Sequence, residues 1–268
     1  MVGFNYPPTP FDLKFRLLGV DARIHWTFWL GGLLFTRGST EFSLVLTGIA
    51  TLFISILVHE MGHALSGKHF GDRVPSITLH AMGGHYTPGN SLRHRQFVWM
   101  IIWGPLAGFI LGGVAVAAWF LVPIGILASN KILFYVIWDA MWINIVWGVV
   151  NLLPVFPLDG GQVLREVLRW RNPSGDDVRA YTVSMVAAVL VAALMAALNV
   201  LNITSSFGLY PILLFGFLAY NNYVLRKYEI ETGGMARHEE LAPRQPWERD
   251  ADWWKNGGKS DDADSWKN

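Results

Sequence analysis

Cysteine is absent from the 268-residue sequence. Its absence excludes disulfide bonds and thiolate metal ligands, so a metal site has to be built from His, Asp or Glu side chains. Charge is also scarce, because Asp, Glu, Lys and Arg make up 15% of the residues while hydrophobic residues make up 52%. The formal net charge of +1 gives no reason to expect nucleic acid as a partner.

The few charged residues are distributed unevenly. Residues 226–268 contain 8 Lys or Arg and 10 Asp or Glu, whereas the much longer segment 1–225 contains 13 and 10. A segment with so few charges is expected where lipid is the solvent. The sequence therefore predicts a polytopic membrane core over residues 1–225 and a largely disordered cytoplasmic tail over residues 226–268.

Six apolar segments predict membrane-spanning helices, since about 20 apolar residues cross a bilayer core of about 30 Å. The first segment is short and needs flanking residues to complete a crossing. Lys and Arg concentrate at both termini and in the loops on their side, so both termini are expected in the cytoplasm. The predicted spans are 24–36, 44–65, 97–122, 132–153, 180–200 and 207–225.

The second predicted span ends in His59-Glu60-Met61-Gly62-His63. Residues four apart lie on the same face of a helix, so His59 and His63 can bind one metal ion. Glu60 is then placed to act on water at that ion. Two histidines hydrogen-bonded between helices are the structural alternative, but ionisable residues at membrane depth are usually functional.

A third ligand is expected after the fourth span, because zinc with two His ligands needs one more protein ligand and an open position. The segment from Asn151 to Gly161 reads NLLPVFPLDGG, and its prolines and glycines break the helix where Asp159 appears. Broken backbone near membrane depth is tolerated where it is buried in protein or lines a watery cavity. Asp159 lies on the same predicted side of the membrane as the histidines. Its alternative role is the N-cap of a helix over Gly160–Trp170.

Together these two motifs resemble the site-two protease family of intramembrane zinc metalloproteases. Gly104-Pro105-Leu106-Ala107-Gly108 and Ile24-His25-Trp26 are similar to further family elements. The resemblance covers about residues 20–225, with no sign of a PDZ or other regulatory domain. It implies a zinc-dependent endopeptidase that hydrolyses membrane-embedded proteins in regulated proteolysis, with Zn²⁺ held by His59, His63 and Asp159.

The resemblance also implies roles in catalysis and substrate binding. Asn151 is expected to hold the substrate backbone or the oxyanion, with a helix-end hydrogen bond as the alternative. In the loop Asp72–Asn90, polarity alternates from Val74 to His80 and Gly83-Gly84 follow, which predicts a membrane-associated β-hairpin in an otherwise all-α protein. An extended substrate could pair with this strand, so Gly83 and Gly84 are candidate substrate-binding residues, with a simple turn as the alternative.

Two other function classes stay open on the sequence. A catalytically inactive scaffold could bind transmembrane proteins, but the retention of Glu60 argues against it. A zinc or ion transporter would be expected to show internal repeats, and the two halves show none. The expected partners are transmembrane protein substrates and the lipid bilayer, and the expected location is a prokaryotic inner membrane. The sequence does not identify a regulatory membrane partner.

Overall fold

Four long apolar helices dominate the protein, whose computed structural model describes residues 7–35, 41–89, 92–171, 177–201 and 209–232. Each is long and apolar enough to cross a membrane, as four of the six predicted spans required. The membrane-protein class is confirmed. The four helical segments are α2 (Phe42–His69), α3 (His94–Leu121), the run Lys131–Asn151 and α8 (Asp177–Val200).

The first and last predicted spans are not among these four. Helix α1 (Thr27–Phe35) has nine residues and extends about 14 Å, less than half of a bilayer core. Helix α9 (Tyr210–Glu231) has 22 residues and runs past the predicted core boundary at residue 225. The compact unit that contains the described residues extends from residue 2 to 234. The predicted tail from residue 233 lies outside the described residues and stays a prediction.

A four-stranded sheet corrects the all-α prediction to a mostly helical protein with a small sheet. The predicted hairpin is present as an antiparallel pair, but it also pairs in parallel with an N-terminal hairpin. That N-terminal signal was missed, although apolar and charged residues alternate there with the period of a strand. In spatial order the strands are β1 (Leu13–Leu17), β2 (Val20–Ile24), β3 (Ser76–His80) and β4 (Gly83–Thr87).

The run Lys131–Asn151 contains a π-helical turn. Helix α5 (Lys131–Met141) leads into this turn at Trp142–Val146, and α6 (Trp147–Asn151) follows. The chain is then non-helical until α7 (Asp159–Arg171) begins, so the helix breaks where the prolines predicted. A short helix, α4 (Ile124–Ser129), precedes α5.

Two apolar clusters lie on either side of this break. The first packs the sheet against α2 and α3, with Ile77, Met61 and Met100 among its buried members. The second packs Val155 of the broken segment against α8 and α9. The segment between α6 and α7 is therefore held on one side by the α8–α9 pair.

Candidate metal site

The two imidazoles of α2 and the first carboxylate of α7 meet at one point. His59 Nε2 lies 3.2 Å from His63 Nε2 and 3.1 Å from Asp159 Oδ2. His63 Nε2 lies 3.5 Å from the other oxygen, Asp159 Oδ1. The structure thus brings together the three side chains that the sequence analysis proposed as ligands.

This geometry fits a zinc ion. Tetrahedral zinc with ligand bonds of about 2.0–2.2 Å separates neighbouring ligand atoms by roughly 3.3–3.6 Å. The three separations between His59, His63 and Asp159 lie within a few tenths of an ångström of that range. The residues present therefore fit the metal that their types suggest.

The surroundings of Asp159 favour the ionised form of its carboxyl group. Burial alone would raise its pKa, but the imidazoles of His63 and His59 outweigh burial and hold that pKa well below its ordinary value. Asp159 is also the first residue of α7, where a negative charge is favoured by the helix dipole. A position at the N-terminus of α7 and a role as a metal ligand are compatible, as the sequence analysis allowed.

The backbone of α3 orients the second imidazole. His63 Nδ1 lies 3.0 Å from the carbonyl oxygen of Met100. A carbonyl can only accept a hydrogen bond, so Nδ1 carries the proton and the lone pair of Nε2 is available to a metal ion. Gly104 makes this approach feasible, because a Cβ at that position would collide with the His63 ring. Sequence reasoning noted the glycine but missed the Met100 carbonyl, since a backbone acceptor carries no residue-type signal.

Glu60 and Asn151 both lie beside the ligand atoms. Glu60 is 5% exposed, and the ligand atoms of His59, Glu60 and His63 lie within 4.8 Å of one another. The Asn151 amide Nδ2 donates to Asp159 Oδ2 at 2.6 Å and lies 3.2 Å from His59 Nε2. The side chain of Asn151 thus faces the candidate site.

The glycine pair lies at the start of β4. Gly84 packs directly on Glu60, because a Cβ there would overlap the glutamate side chain. Gly83 has a φ of 128°, a conformation that favours glycine, and open space surrounds its Cβ position. The turn itself is formed by Ala81 and Met82, and Gly83 and Gly84 are the first two residues of β4.

Two further buried asparagines make hydrogen bonds that sequence reasoning missed. In the π-helical turn, Asn144 Nδ2 donates to Ser55 Oγ at 2.9 Å, one helical turn before His59. In α9, Asn222 Nδ2 donates to the carbonyl of Phe156 at 2.6 Å. An Asn in an apolar segment was the available signal, because a buried amide requires a partner.

Comparison with known proteins finds a family match over part of the chain. Residues 120–196 match peptidase family M50, and the match contains Asn151 and Asp159. The match covers less than a third of the chain. The histidine motif lies outside the matched residues, so the HEMGH motif and the M50 match are separate observations that agree.

Curated relatives of known name match a larger share of the chain. A zinc metalloprotease of Methanocaldococcus jannaschii is 30% identical over 159 residues, 58% of this chain and 44% of the relative. Stage IV sporulation protein FB of Bacillus subtilis is 32% identical over 116 residues, 42% of this chain and 37% of the relative. The chain therefore spans less than half the length of either relative.

A solved structure shares the fold. The site-2 protease from Methanocaldococcus jannaschii superposes with a TM-score of 0.54 at 22% identity, covering 81% of this chain and 95% of that one. At this identity the likeness shows the fold. Together with the M50 match, it confirms the resemblance to the site-two protease family.

Proposed function

We propose that this chain is a member of peptidase family M50 and a zinc-dependent endopeptidase that hydrolyses peptide bonds of membrane-embedded proteins. The observation that carries the proposal is the convergence of His59, His63 and Asp159 within 3.5 Å, with Glu60 buried beside them. The two histidines lie on a helix long enough to cross a membrane. The relative from Methanocaldococcus jannaschii is named a zinc metalloprotease, which supports the same activity here.

The side chains around the metal position divide the chemistry between them. A zinc ion bound there supplies a Lewis acid that activates water and polarises a peptide carbonyl. Glu60 accepts the proton from the attacking water and delivers it to the leaving amine. Asn151 presents an amide N–H beside Asp159, where it can donate to the substrate backbone or to the developing oxyanion.

Strand β4 is the proposed substrate-binding edge. Among the described residues it pairs only with β3, so its outer edge can accept an extended peptide. Gly84 brings the backbone of this strand against Glu60, which would hold a paired peptide near the general base. Gly83 and Gly84 are therefore proposed to bind the substrate through their backbone.

Strand pairing supports the proposed six-span topology. Strand β2 pairs in parallel with β3, which follows the site end of α2, so residues near Ile24 lie on the site side. Helix α2 begins at Phe42, and its 28 residues extend about 42 Å. In the proposed topology the chain between β2 and Phe42 returns across the membrane, and α1, at about 14 Å, would provide less than half of that crossing. With α9 as the last span, both termini face the cytoplasm of a prokaryotic cell.

The test of the proposed activity uses the carboxylate of Glu60. Purified wild type, Glu60→Gln and Glu41→Gln are reconstituted in proteoliposomes with a transmembrane polypeptide, and cleavage and bound zinc are measured. Glu41 lies at the other end of α2 and is exposed, so it is a matched control. We expect about one zinc per chain in all three. Cleavage should fall by about 10²–10⁴-fold in Glu60→Gln alone, the usual contribution of a general base.

The same experiment separates the other function classes. If Glu60→Gln cleaved the polypeptide at the wild-type rate, Glu60 would not be the general base. A wild-type protein that binds zinc without cleaving any polypeptide would favour the inactive scaffold. Movement of zinc across the vesicle membrane in both the wild type and Glu60→Gln would favour the transporter.

A further inference from the structure

Asn222 of α9 contacts the segment that carries the third metal ligand. We propose that it is a positioning residue, which holds Asp159 at the metal by fixing the carbonyl of Phe156. The inference rests on the proposed function, because it takes Asp159 as a ligand. The inference gives α9 a role in the metal site. Helix α9 would act on this site through the segment between α6 and α7.

The contacts of Asn222 are directional and fully enclosed. The side chain is 0% exposed, and its Nδ2 donates to the Phe156 carbonyl at 2.6 Å. The same nitrogen donates to the Leu218 carbonyl at 2.8 Å, four residues earlier on its own helix. The second bond fixes the amide relative to α9, so the first bond fixes Phe156 relative to α9.

A shift at Phe156 would be transmitted to Asp159. Phe156 lies three residues before Asp159, and the turn between them is closed by a 2.8 Å bond from Leu158 N–H to the Val155 carbonyl. The start of α7 packs on this turn, because a Cβ at Gly161 would collide with the Phe156 backbone. Asp159 is the first residue of α7, so the turn and the ligand move together.

Apolar packing alone does not provide the same constraint. Val155 packs with Ala188 and Phe215, and Phe156 packs with Tyr181, but such contacts permit small sliding. A hydrogen bond to a carbonyl has a preferred distance and angle. The amide therefore adds a directional contact from α9 that can help to fix the turn, beside the 3.1 Å bond from Gln162 Nε2 to the Pro157 carbonyl.

The other atom of the amide supports this assignment. Within the part of the chain that the structure describes, Asn222 Oδ1 is buried and has no hydrogen-bond partner. Burying an unpaired acceptor costs free energy, so a leucine of similar size would pack α9 at lower cost. A role in helix packing does not account for an asparagine here, whereas its donor bond to Phe156 does.

The test measures metal affinity and metal geometry separately from stability. Asn222→Leu replaces the amide by an apolar group of similar size, and Asn222→Ala removes the side chain beyond Cβ. Asn221→Leu is the matched control, because Asn221 is the preceding residue of the same helix and is only half-buried. Zinc affinity is measured by chelator competition, ligand geometry from the absorption bands of the cobalt-substituted protein, and stability from the melting temperature of the metal-free protein.

We expect zinc affinity to fall about 10- to 100-fold in both Asn222 variants, the usual effect of removing a group that orients a metal ligand. The cobalt bands should shift in both, and the metal-free Asn222→Leu protein should melt at or above the wild-type temperature. Asn221→Leu should match the wild type in all three measurements. Wild-type zinc affinity and unshifted bands in both Asn222 variants would overturn the inference and leave the proposed function intact. Failure of the wild type to bind zinc would instead overturn the proposed function, and the inference with it.

Discussion

Replacement of Asp159 by asparagine tests whether the distant motifs form one metal site. The amide has almost the same shape as the carboxylate, so the packing at the start of α7 is preserved. The change removes the negative charge that lies 3.1 Å from His59 Nε2 and 3.5 Å from His63 Nε2. Zinc sites in proteins use carboxylate, imidazole or thiolate ligands, so the amide is a poor replacement.

The size of the effect follows from the position of Asp159. Groups that merely orient a metal ligand contribute about 10- to 100-fold to metal affinity. Asp159 lies within ligand distance itself, so its loss should exceed that range. We expect zinc affinity to fall by at least about 100-fold, which corresponds to about 2.8 kcal/mol of binding free energy.

Metal content and chelator competition provide the assay. Wild type, Asp159→Asn and Asp21→Asn are purified in detergent, and zinc per chain is measured by elemental mass spectrometry. The Asp21→Asn control carries the same chemical change on the N-terminal hairpin. This variant should bind zinc as tightly as the wild type. Wild-type affinity in Asp159→Asn would refute the reasoning. The third ligand would then be sought at Glu60, which lies within 4.8 Å of both histidines, and Glu60 would lose its role as the base.

Two further predictions concern the sheet. Gly84→Ala should reduce turnover by about 100-fold, because the added methyl group displaces the Glu60 carboxylate, whereas Gly113→Ala, with open space at its Cβ, should leave turnover unchanged; steady-state kinetics of both variants decide this. Burial, reinforced by nearby cationic groups, lowers the pKa of His80 from 6.5 to about 4. Above pH 6.5 the histidine is neutral in both the folded and unfolded states, and between pH 6.5 and about 4 only the unfolded state binds the proton. Stability should therefore fall by up to about 3 kcal/mol over that window, and His80→Gln should flatten the dependence in thermal melts.

Local patterns were sufficient to predict the main helices and the histidine pair. Apolar runs of adequate length become helices in a membrane because the backbone has to satisfy its own hydrogen bonds. The spacing of His59 and His63 brings their rings together on any helix, and their Nε2 atoms are 3.2 Å apart. The helix break before Asp159 was equally predictable, because proline cannot continue the hydrogen-bond ladder.

The extent of the sheet was harder to predict. The hairpin β3–β4 forms between neighbouring residues, so its alternation was sufficient to indicate it. Pairing of β2 with β3 joins segments separated by α1 and α2, and no local pattern specifies such a partner. The charged residues of the N-terminal strands were therefore used only to orient the termini.

The sequence by itself determined the membrane class, the four long helices and the residue types of a zinc site, because these depend on composition and on spacings within a few residues. The tertiary structure decided which groups support that site. Met100 orients His63 through a backbone carbonyl, and Asn222 reaches the Phe156 carbonyl across 66 residues of sequence. Contacts of this kind depend on how helices pack against each other, and a residue's identity does not reveal which distant carbonyl it will meet.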